Sequence, residues 1–301
     1  MAIITRAQAP STDPPKPKAD VLPEGNDFTR GNVTPSRSVE WYQPTFKNLS
    51  DTARQVFVEY SGIPEDQIAA HVYRVRDKAW DILPYPCIGV FRFLDFGANM
   101  NPIYPEVLRR VRGGDILLDL GCCFGQDIRK FAADGAPSKN MLGVDSEDRY
   151  IELGYELFKD RGTLQSKFYT QSVFDEDFLP EWCGRVDIIY VGSFLHLFNF
   201  EKQQEILAQL VRVLRKRPGA MVFGRHLGAE QGGEFHMRSL GWDVYRHSEE
   251  TMRKLWADVP EGQWNVSAEI TRYESKGWDN DRRGWQGDDT QQMTFVATRR
   301  L

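Results

Sequence analysis

An acid, two glycines and a helix start lie within a dozen residues of one another in this sequence. Asp119 follows the short apolar run Ile116–Leu118 and precedes a turn bracketed by Gly121 and Gly125, after which Gln126–Ala133 has the apolar spacing of a helix. The apolar run predicts a buried parallel strand. A strand that feeds a glycine turn and a helix N-terminus presents backbone N–H groups to a polar ligand. The segment therefore predicts a site for a nucleoside-containing cofactor.

The spacing of the glycines narrows the choice of cofactor. A dinucleotide fingerprint needs G-x-G-x-x-G, but Cys123 and Gln126 stand where it needs glycine, and no Gly-Lys-Ser/Thr follows as in a phosphate loop. The turn resembles the D-x-G-x-G-x-G turn with which class I methyltransferases bind S-adenosylmethionine (SAM). Asp119 and both glycines match that pattern, and Cys123 replaces its middle glycine. Because cysteine is small, we expect an adjusted turn rather than a lost site.

A second acid supports this resemblance. Asn140–Asp145 has the composition of the next strand, and a carboxylate at its tip can accept hydrogen bonds from both ribose hydroxyls. Ser166–Thr170 and Val186–Val191 predict the third and fourth strands, and the family holds the adenine in the turn after the third. The resemblance implies a cofactor site made of Asp119, Gly121, Cys122, Gly125, Asp145, Ser146, Ser172, Val173 and Ser193. Purely structural roles stay open for the two acids, since Asp145 could cap a helix and Asp119 could stabilise its own turn.

The remaining elements complete an α/β fold. Glu201–Arg215 is an amphipathic helix, Ala220–Gly224 a fifth strand and Glu249–Ala257 another helix. Gln263–Arg272 and Gln291–Thr298 alternate enough to be the last two strands. The expected fold class is that of a Rossmann-like class I methyltransferase, with a seven-stranded, mostly parallel sheet, an antiparallel last strand and an N-terminal helical cap.

Three segments divide the chain. Residues 1–38 are rich in Pro, Lys, Asp and Ser and predict a flexible tail. Residues 39–112 predict a helical cap, with helices at Asp51–Tyr60 and Pro64–Trp80. Since the cap is too small to bury a core of its own, we expect it to lie over the cofactor and substrate. Residues 113–301 are the expected SAM-binding core.

Composition and charge exclude several classes of protein. The 301 residues are 41% hydrophobic and 27% charged, and their net charge of −5 argues against a nucleic-acid partner. No apolar run reaches the length of a membrane span, and Met1–Arg6 lacks the features of a signal peptide. The four cysteines form no C-x-x-C pair, so we expect no metal site and a cytoplasmic, reduced protein. The oligomeric state is left open, a homodimer included.

Three runs resemble a narrower group. Pro84–Gly89, Leu118–Asp127 and Phe194–Phe198 are similar to fungal methyltransferases of meroterpenoid and polyketide pathways, and the likeness covers roughly residues 40 to 300. The resemblance implies SAM as the methyl donor and a small, largely apolar acceptor. It further implies an enzyme of the kind that turns a carboxylic acid into its methyl ester.

The acceptor side of the site poses a choice between two chemistries. A carboxylate, with a reference pKa near about 4, is already ionised and needs only a donor to orient it, whereas a phenol, near about 10, would gain from a base. The candidates are His196 after the fourth strand and Arg225 and His226 just after the fifth strand. Arg225 could bind the carboxylate of an acid substrate or form an ion pair with a neighbouring acidic residue. Either histidine could be a base or a packed core residue. A non-catalytic SAM-binding regulatory protein is the alternative of another class.

Four aromatic residues are candidates for closing the cofactor or acceptor site. Trp41 and Tyr42 could close the cofactor site from the cap. Trp278 and Trp285 flank a polar loop that could fold over the acceptor, although a solvated hairpin connection is the simpler interpretation. Arg92, in the run Phe91–Phe93, is expected to be structural.

Overall fold

A seven-stranded sheet forms the centre of the computed structural model, which describes residues 35–237, 241–259, 262–272 and 290–300. The strands are β1 Leu117–Leu120, β2 Met141–Asp145, β3 Lys167–Thr170, β4 Ile188–Gly192, β5 Met221–Ala229, β6 Gly233–Met237, β7 Trp242–Arg246, β8 Trp264–Thr271 and β9 Thr290–Arg299. The helices are α1 Asp51–Gln55, α2 Glu65–Ile82, α3 Pro86–Gly89, α4 Tyr104–Arg112, α5 Gln126–Ala133, α6 Asp148–Phe158, α7 Phe200–Val213 and α8 Glu249–Ala257.

The strand order of the sheet is β3-β2-β1-β4-β5-β9-β8. Strands β3, β2, β1, β4 and β5 are mutually parallel, and β9 runs antiparallel to both of its neighbours, β5 and β8. The predicted fold class is therefore confirmed, including the antiparallel last strand. Because the carboxyl ends of parallel strands meet at one edge, the loops after β1, β2, β3, β4 and β5 come together there.

Apolar side chains on both faces of the sheet explain why its central strands are apolar runs. All four residues of β1 are buried. Leu118 and Ile189 face the cluster that includes residues of α7 and α8, whereas Leu117 and Ile188 face the cluster that includes residues of α4 and α5. A strand covered by helices on both faces cannot show polar alternation.

The amino-terminal segment shares a core with the sheet domain. Side chains from Trp41 to Phe96 pack in one cluster with Phe124, Tyr150 and Leu157, the last two on α6. The predicted helix at Asp51–Tyr60 is α1 followed by a wider, π-type turn at Val56–Tyr60.

A two-stranded hairpin of β6 and β7 lies between β5 and α8 and was not predicted. Strand β5 is also longer than predicted, because its carboxyl half continues to pair with β9 as far as Ala229↔Thr290. Residues 1–34 of the predicted tail, and the predicted loop with Trp278 and Trp285, lie outside the described residues.

Two general features of the described ranges bear on function. None of their helices combines the length and apolar character needed to cross a bilayer. They also contain no group of three or more His, Cys, Asp or Glu side chains placed to hold a metal ion.

Candidate active site

A cleft with two lobes lies at the carboxyl edge of the parallel strands. The β3 lobe is lined by Gln171, Ser172, Val173, Phe174, Phe198 and Trp242, among others. The β5 lobe is lined by Arg92, His196, Arg225, His226, Met237 and Gln292, among others. Both lobes share Tyr85, Gly121, Asp145, Ser146, Phe194 and Leu197. The shared residues place the two lobes side by side.

The glycine turn between β1 and α5 forms the floor of this cleft. Gly121, Cys123 and Gly125 all have left-handed backbone angles, with φ of 68°, 51° and 61°. A side chain at Gly121 would meet the ring of Phe194, since a Cβ placed there lies 2.5 Å from Cδ2 of that ring. Cys123 keeps the left-handed conformation of the glycine that it replaces. The turn is therefore formed without its middle glycine.

The carboxylate of Asp145 is hydrogen-bonded to this turn. The backbone N–H groups of Cys123 and Glu147 donate to its two carboxylate oxygens at 2.8 and 3.0 Å. Burial raises the pKa of this carboxyl, and these two hydrogen bonds act in the opposite direction. A carboxylate has about four acceptor positions, so Asp145 can accept further bonds from a ligand where the two lobes meet.

Asp119 is a buried carboxylate that is incompletely satisfied. It is 3% exposed, and its Oδ2 has no hydrogen-bond partner within the described part of the chain. Burial raises its pKa well above the usual value, and the charges of Asp127 and Asp145 raise it further. Asp119 is not among the residues that line either lobe. Because a buried unpaired carboxylate is costly, a positively charged group that reached it would stabilise it. The amino and sulfonium groups of SAM carry such a charge.

Two arginines converge on one acid at the β5 lobe. Asp95 pairs with Arg92 at 3.0 Å and with Arg225 at 3.1 Å. The two guanidinium groups hold the pKa of Asp95 below its usual value in spite of its burial. The ion pair considered for Arg225 is therefore present, and both arginines also line the lobe. Arg92, expected to be only structural, faces the cleft as well.

His196 is held as a neutral imidazole. Its Nδ1 accepts a hydrogen bond from the backbone N–H of Leu227 at 3.4 Å, and the residue is buried. Burial lowers its pKa to about 3, and the positive charges of Arg246, Arg225 and Arg92 contribute. With Nδ1 as the acceptor, the proton of the neutral ring is assigned to Nε2.

His226 lies next to His196, with 6.1 Å between the ring centroids. Its Nε2 lies 3.2 Å from Sδ of Met293, while its buried Nδ1 has no hydrogen-bond partner among the residues that the structure describes. Burial lowers its pKa well below the usual value, and so do His196 and His247. His226 can therefore accept a hydrogen bond but is a weak base.

The other predicted cofactor residues lie at different places around the cleft. Ser146 lines both lobes, Ser172 and Val173 line the β3 lobe, and Ser193 lines the β5 lobe. The side chain of Cys122 is fully buried and packs near Gly143. It is not among the residues that line the cleft, whereas the side chain of Cys123 is.

Gly125 has a packing role that the sequence did not indicate. A Cβ at this position would lie 2.5 Å from Nη1 of Arg129 and 2.8 Å from the ring of Phe168. Arg129 is fully buried, and its Nη1 donates to the carbonyl of Phe124 at 2.8 Å. The glycine therefore leaves room for the arginine that supports the turn from below.

Several cleft residues were not predicted. Tyr85 and Phe194 lie in the runs that carried the resemblance, but their positions in both lobes follow only from the fold. Trp41 was expected near the cofactor; instead it is buried behind the cleft wall, where its Nε1–H donates to the carbonyl of Pro84 at 3.3 Å. Tyr42 packs edge-on against Trp80 and is likewise absent from the cleft lining.

Two family models and several known proteins match this chain. Residues 41–94 match the family model described as the meroterpenoid methyltransferase N-terminal domain, and residues 117–217 match a methyltransferase domain. The O-methyltransferase atr3 of Stereocaulon alpinum is 36% identical over 289 residues, which cover 94% of this chain and 81% of that protein. The asnovolin E/chermesin D methyltransferase nvfJ of Aspergillus novofumigatus is 40% identical over 214 residues, which cover 70% of this chain and 77% of that protein.

Solved structures share the fold. A putative sarcosine dimethylglycine methyltransferase from Galdieria sulphuraria aligns with a TM-score of 0.53 at 11% identity, covering 72% of this chain and 87% of that one. At this level of identity the likeness concerns the arrangement of strands and helices alone.

Proposed function

The chain belongs to the family of SAM-dependent O-methyltransferases of fungal secondary metabolism, and on that basis we propose that it methylates a carboxylic acid on a small apolar metabolite. The product would be a methyl ester. The single observation that carries this proposal is the bond from the backbone N–H of Leu227 to Nδ1 of His196, which assigns the ring proton to Nε2 and makes that nitrogen a hydrogen-bond donor.

The cofactor would be held by groups at the cleft floor. We assign Asp145 to the ribose hydroxyls, because its carboxylate is fixed by two backbone N–H groups and lies where the lobes meet. Asp119 is assigned to the positively charged methionine end, because its buried oxygen needs such a partner. Ser172 and Val173 are assigned to the adenine in the β3 lobe. Bound SAM supplies a methyl group that passes to an acceptor oxygen as the carbon–sulfur bond breaks and its electron pair returns to sulfur.

The β5 lobe would hold the acceptor. Its lining includes the apolar side chains Val90, Leu197, Leu227 and Met237 next to Arg92 and Arg225. Apolar walls suit a hydrocarbon skeleton. The two arginines share the acid Asp95, and the net positive charge of the three groups suits an anionic group on that skeleton. The positive field at this place is visible in His196, whose pKa the arginines help to lower.

His196 would orient the acceptor without removing a proton. With its pKa near about 3, the ring is a very weak base at neutral pH. The assigned Nε2–H can donate to a carboxylate oxygen, which is already ionised. Alignment of that oxygen with the methyl group is then the main task of the site.

The chemistry of the product tests this proposal. The protein is incubated with SAM that carries a labelled methyl group and with a panel of apolar carboxylic acids and phenols. We expect label in acids only, and alkali should release it as methanol because esters hydrolyse. Label that survives alkali as an aryl ether would overturn the ester proposal, and no label in any acceptor would favour a SAM-binding partner protein instead.

A phenol or other hydroxyl acceptor is the second candidate, and the bare Nδ1 of His226 favours it. This nitrogen could accept the hydroxyl proton, although its lowered pKa makes it a poor base. Replacement of His226 by Asn should cut phenol methylation by about 10²-fold or more. The same substitution should leave ester formation within a few-fold of the wild-type rate.

A further inference from the structure

The β6–β7 hairpin is attached to the loop that carries His196. The indole N–H of Trp242 donates to the carbonyl of Leu197 at 2.9 Å, and the backbone N–H of Tyr245 donates to the carbonyl of Phe198 at 2.9 Å. Gln203 adds two bonds from its side-chain amide, to the carbonyls of Phe198 and Tyr245. These bonds fix the position of the hairpin relative to the cleft.

One cross-strand pair of the hairpin lines both lobes. Met237 and Trp242 are directly paired in the hairpin, so their side chains project from the same face. Met237 lines the β5 lobe and Trp242 lines the β3 lobe. The next pair, His236 and Asp243, projects from the opposite face and is exposed.

We propose that this hairpin is a second binding element of the site, in which Trp242 covers the adenine of SAM and Met237 selects the acceptor skeleton. Residues 233–246 lie outside both matched family models, which end at residues 94 and 217. Both parts rest on the proposed function, because it assigns the β3 lobe to the adenine and the β5 lobe to the acceptor.

The surroundings of Trp242 suit a flat aromatic ligand. Its N–H is used by the bond to Leu197, which fixes the ring and leaves its apolar surface to line the lobe. Val173, Phe174 and Phe198 line the same lobe. Nucleobases stack on aromatic side chains, because every base presents a π-face.

The surroundings of Met237 suit apolar acceptors of different shapes. The residue is buried and packs in a cluster with Tyr85, Leu197 and Leu227, all of which line the β5 lobe. Methionine adapts its shape to different apolar partners. Its size therefore sets how much room the lobe leaves beside the reacting oxygen.

SAM binding tests the Trp242 assignment without any knowledge of the acceptor. Calorimetric titration with SAM is compared for the wild type, Trp242→Phe, Trp242→Ala and the control His236→Ala. We expect the alanine variant to bind about 10-fold more weakly or worse, the phenylalanine variant to lose only a few-fold, and the control to match the wild type. Thermal melting shows whether each variant is folded. Trp242→Phe and Trp242→Ala that stay folded and bind within two-fold of the wild type would overturn the assignment.

The acceptor range tests the Met237 assignment. Met237→Ala and Met237→Phe are assayed with a compact and a bulky acceptor, whichever acids or phenols the wild type methylates. The ratio of kcat/KM for bulky over compact should rise by about 10-fold in the alanine variant and fall in the phenylalanine variant. His236→Ala should leave the ratio unchanged, and SAM affinity should stay within two-fold. A ratio that neither Met237 variant moves would overturn the assignment, whereas label in an ether instead of an ester would overturn only the ester proposal.

Discussion

The backbone N–H of Cys123 donates to Oδ2 of Asp145 at 2.8 Å, and this bond joins the glycine turn to the acid at the tip of β2. The two motifs are separated by 22 positions in the chain, yet they form one unit. The left-handed conformation of Cys123 aims its N–H at that acid. The position thus selects for backbone conformation and small size more than for any property of sulfur.

Substitution of Cys123 by Gly should therefore preserve the site. Glycine adopts a positive φ without the steric cost, roughly 1 to 2 kcal/mol, that a Cβ imposes. We expect SAM affinity within about three-fold of the wild type, as measured by calorimetry. Cys123→Val is the matched control, because a β-branched residue strongly disfavours this conformation; valine that bound SAM as well as glycine would contradict this role of the backbone.

Asp119→Asn should raise the stability of the ligand-free protein and lower its affinity for SAM. The wild-type carboxylate is buried near Asp127 and Asp145, and its raised pKa shows that the ionised form is disfavoured. The neutral amide removes this repulsion, so the melting temperature without ligand should rise. SAM affinity should fall by about 10-fold or more, because a charged partner of the ligand is lost. Unchanged affinity in the calorimeter would show that Asp119 serves only the turn.

Arg129→Ala should lower the stability of the protein, because it removes a buried ion pair beneath the glycine turn. Arg129 pairs with both carboxylate oxygens of Asp160, at 2.9 and 3.0 Å, and all of these groups are buried. Loss of the arginine removes the cation that pairs with this buried acid, which lowers the free energy of unfolding by roughly 3 to 5 kcal/mol.

Tyr60→Phe is the matched control for the Arg129 substitution. It removes one bond to the same acid, from Tyr60 Oη to Asp160 Oδ2 at 2.7 Å, and should cost roughly 1.5 to 3 kcal/mol because the acceptor is charged. Urea unfolding measures both variants. Equal losses would mean that the ion pair adds nothing beyond a hydrogen bond.

His247→Gln should make the protein less sensitive to acid. Burial lowers the pKa of His247 to about 4, whereas the unfolded side chain titrates near 6.5. Between these values the unfolded chain binds the extra proton, so wild-type stability falls as the pH falls through this window. Glutamine does not titrate and can still donate to Oε1 of Gln203, which lies 2.8 Å from Nε2 of the wild-type ring.

The check is urea unfolding of both proteins at several pH values from 7.5 to 4.5. Relative to the wild type, the variant should gain stability by at most about 1.4 kcal/mol per pH unit below 6.5. Contributions from other groups, including Asp127 with its pKa raised to about 6, cancel in this difference. A difference that does not change with pH would contradict the burial of a neutral His247.

The sequence was sufficient to predict the central strands, the glycine turn, and the acids Asp119 and Asp145. Each of these features depends on a few adjacent residues. Helices α5 and α8 begin and end where the apolar spacing predicted. The hairpin could not be predicted in this way. Its residues Gly233–Arg246 mix charged and aromatic side chains, and its strands are fixed by bonds to the distant carbonyls of Leu197 and Phe198.

The chemical state of a side chain depends on still more distant partners. His196 was predicted as a candidate, but its role as donor or base is decided by the N–H of Leu227, 31 positions away. Arg225 shows the same dependence, because its partner Asp95 is 130 positions away in sequence. No local pattern contains such information.

SAM is proposed to lie in the cleft with its ribose on Asp145, and calorimetric titration with SAM measures this contact. Wild-type protein, Asp145→Ala and the exposed neighbour control Asp148→Ala are compared under one condition. We expect the wild type and Asp148→Ala to bind SAM with affinities within two-fold of each other, and Asp145→Ala to bind about 10-fold more weakly or worse. Uptake of SAM by a folded Asp145→Ala variant with wild-type affinity would contradict this placement of the ribose.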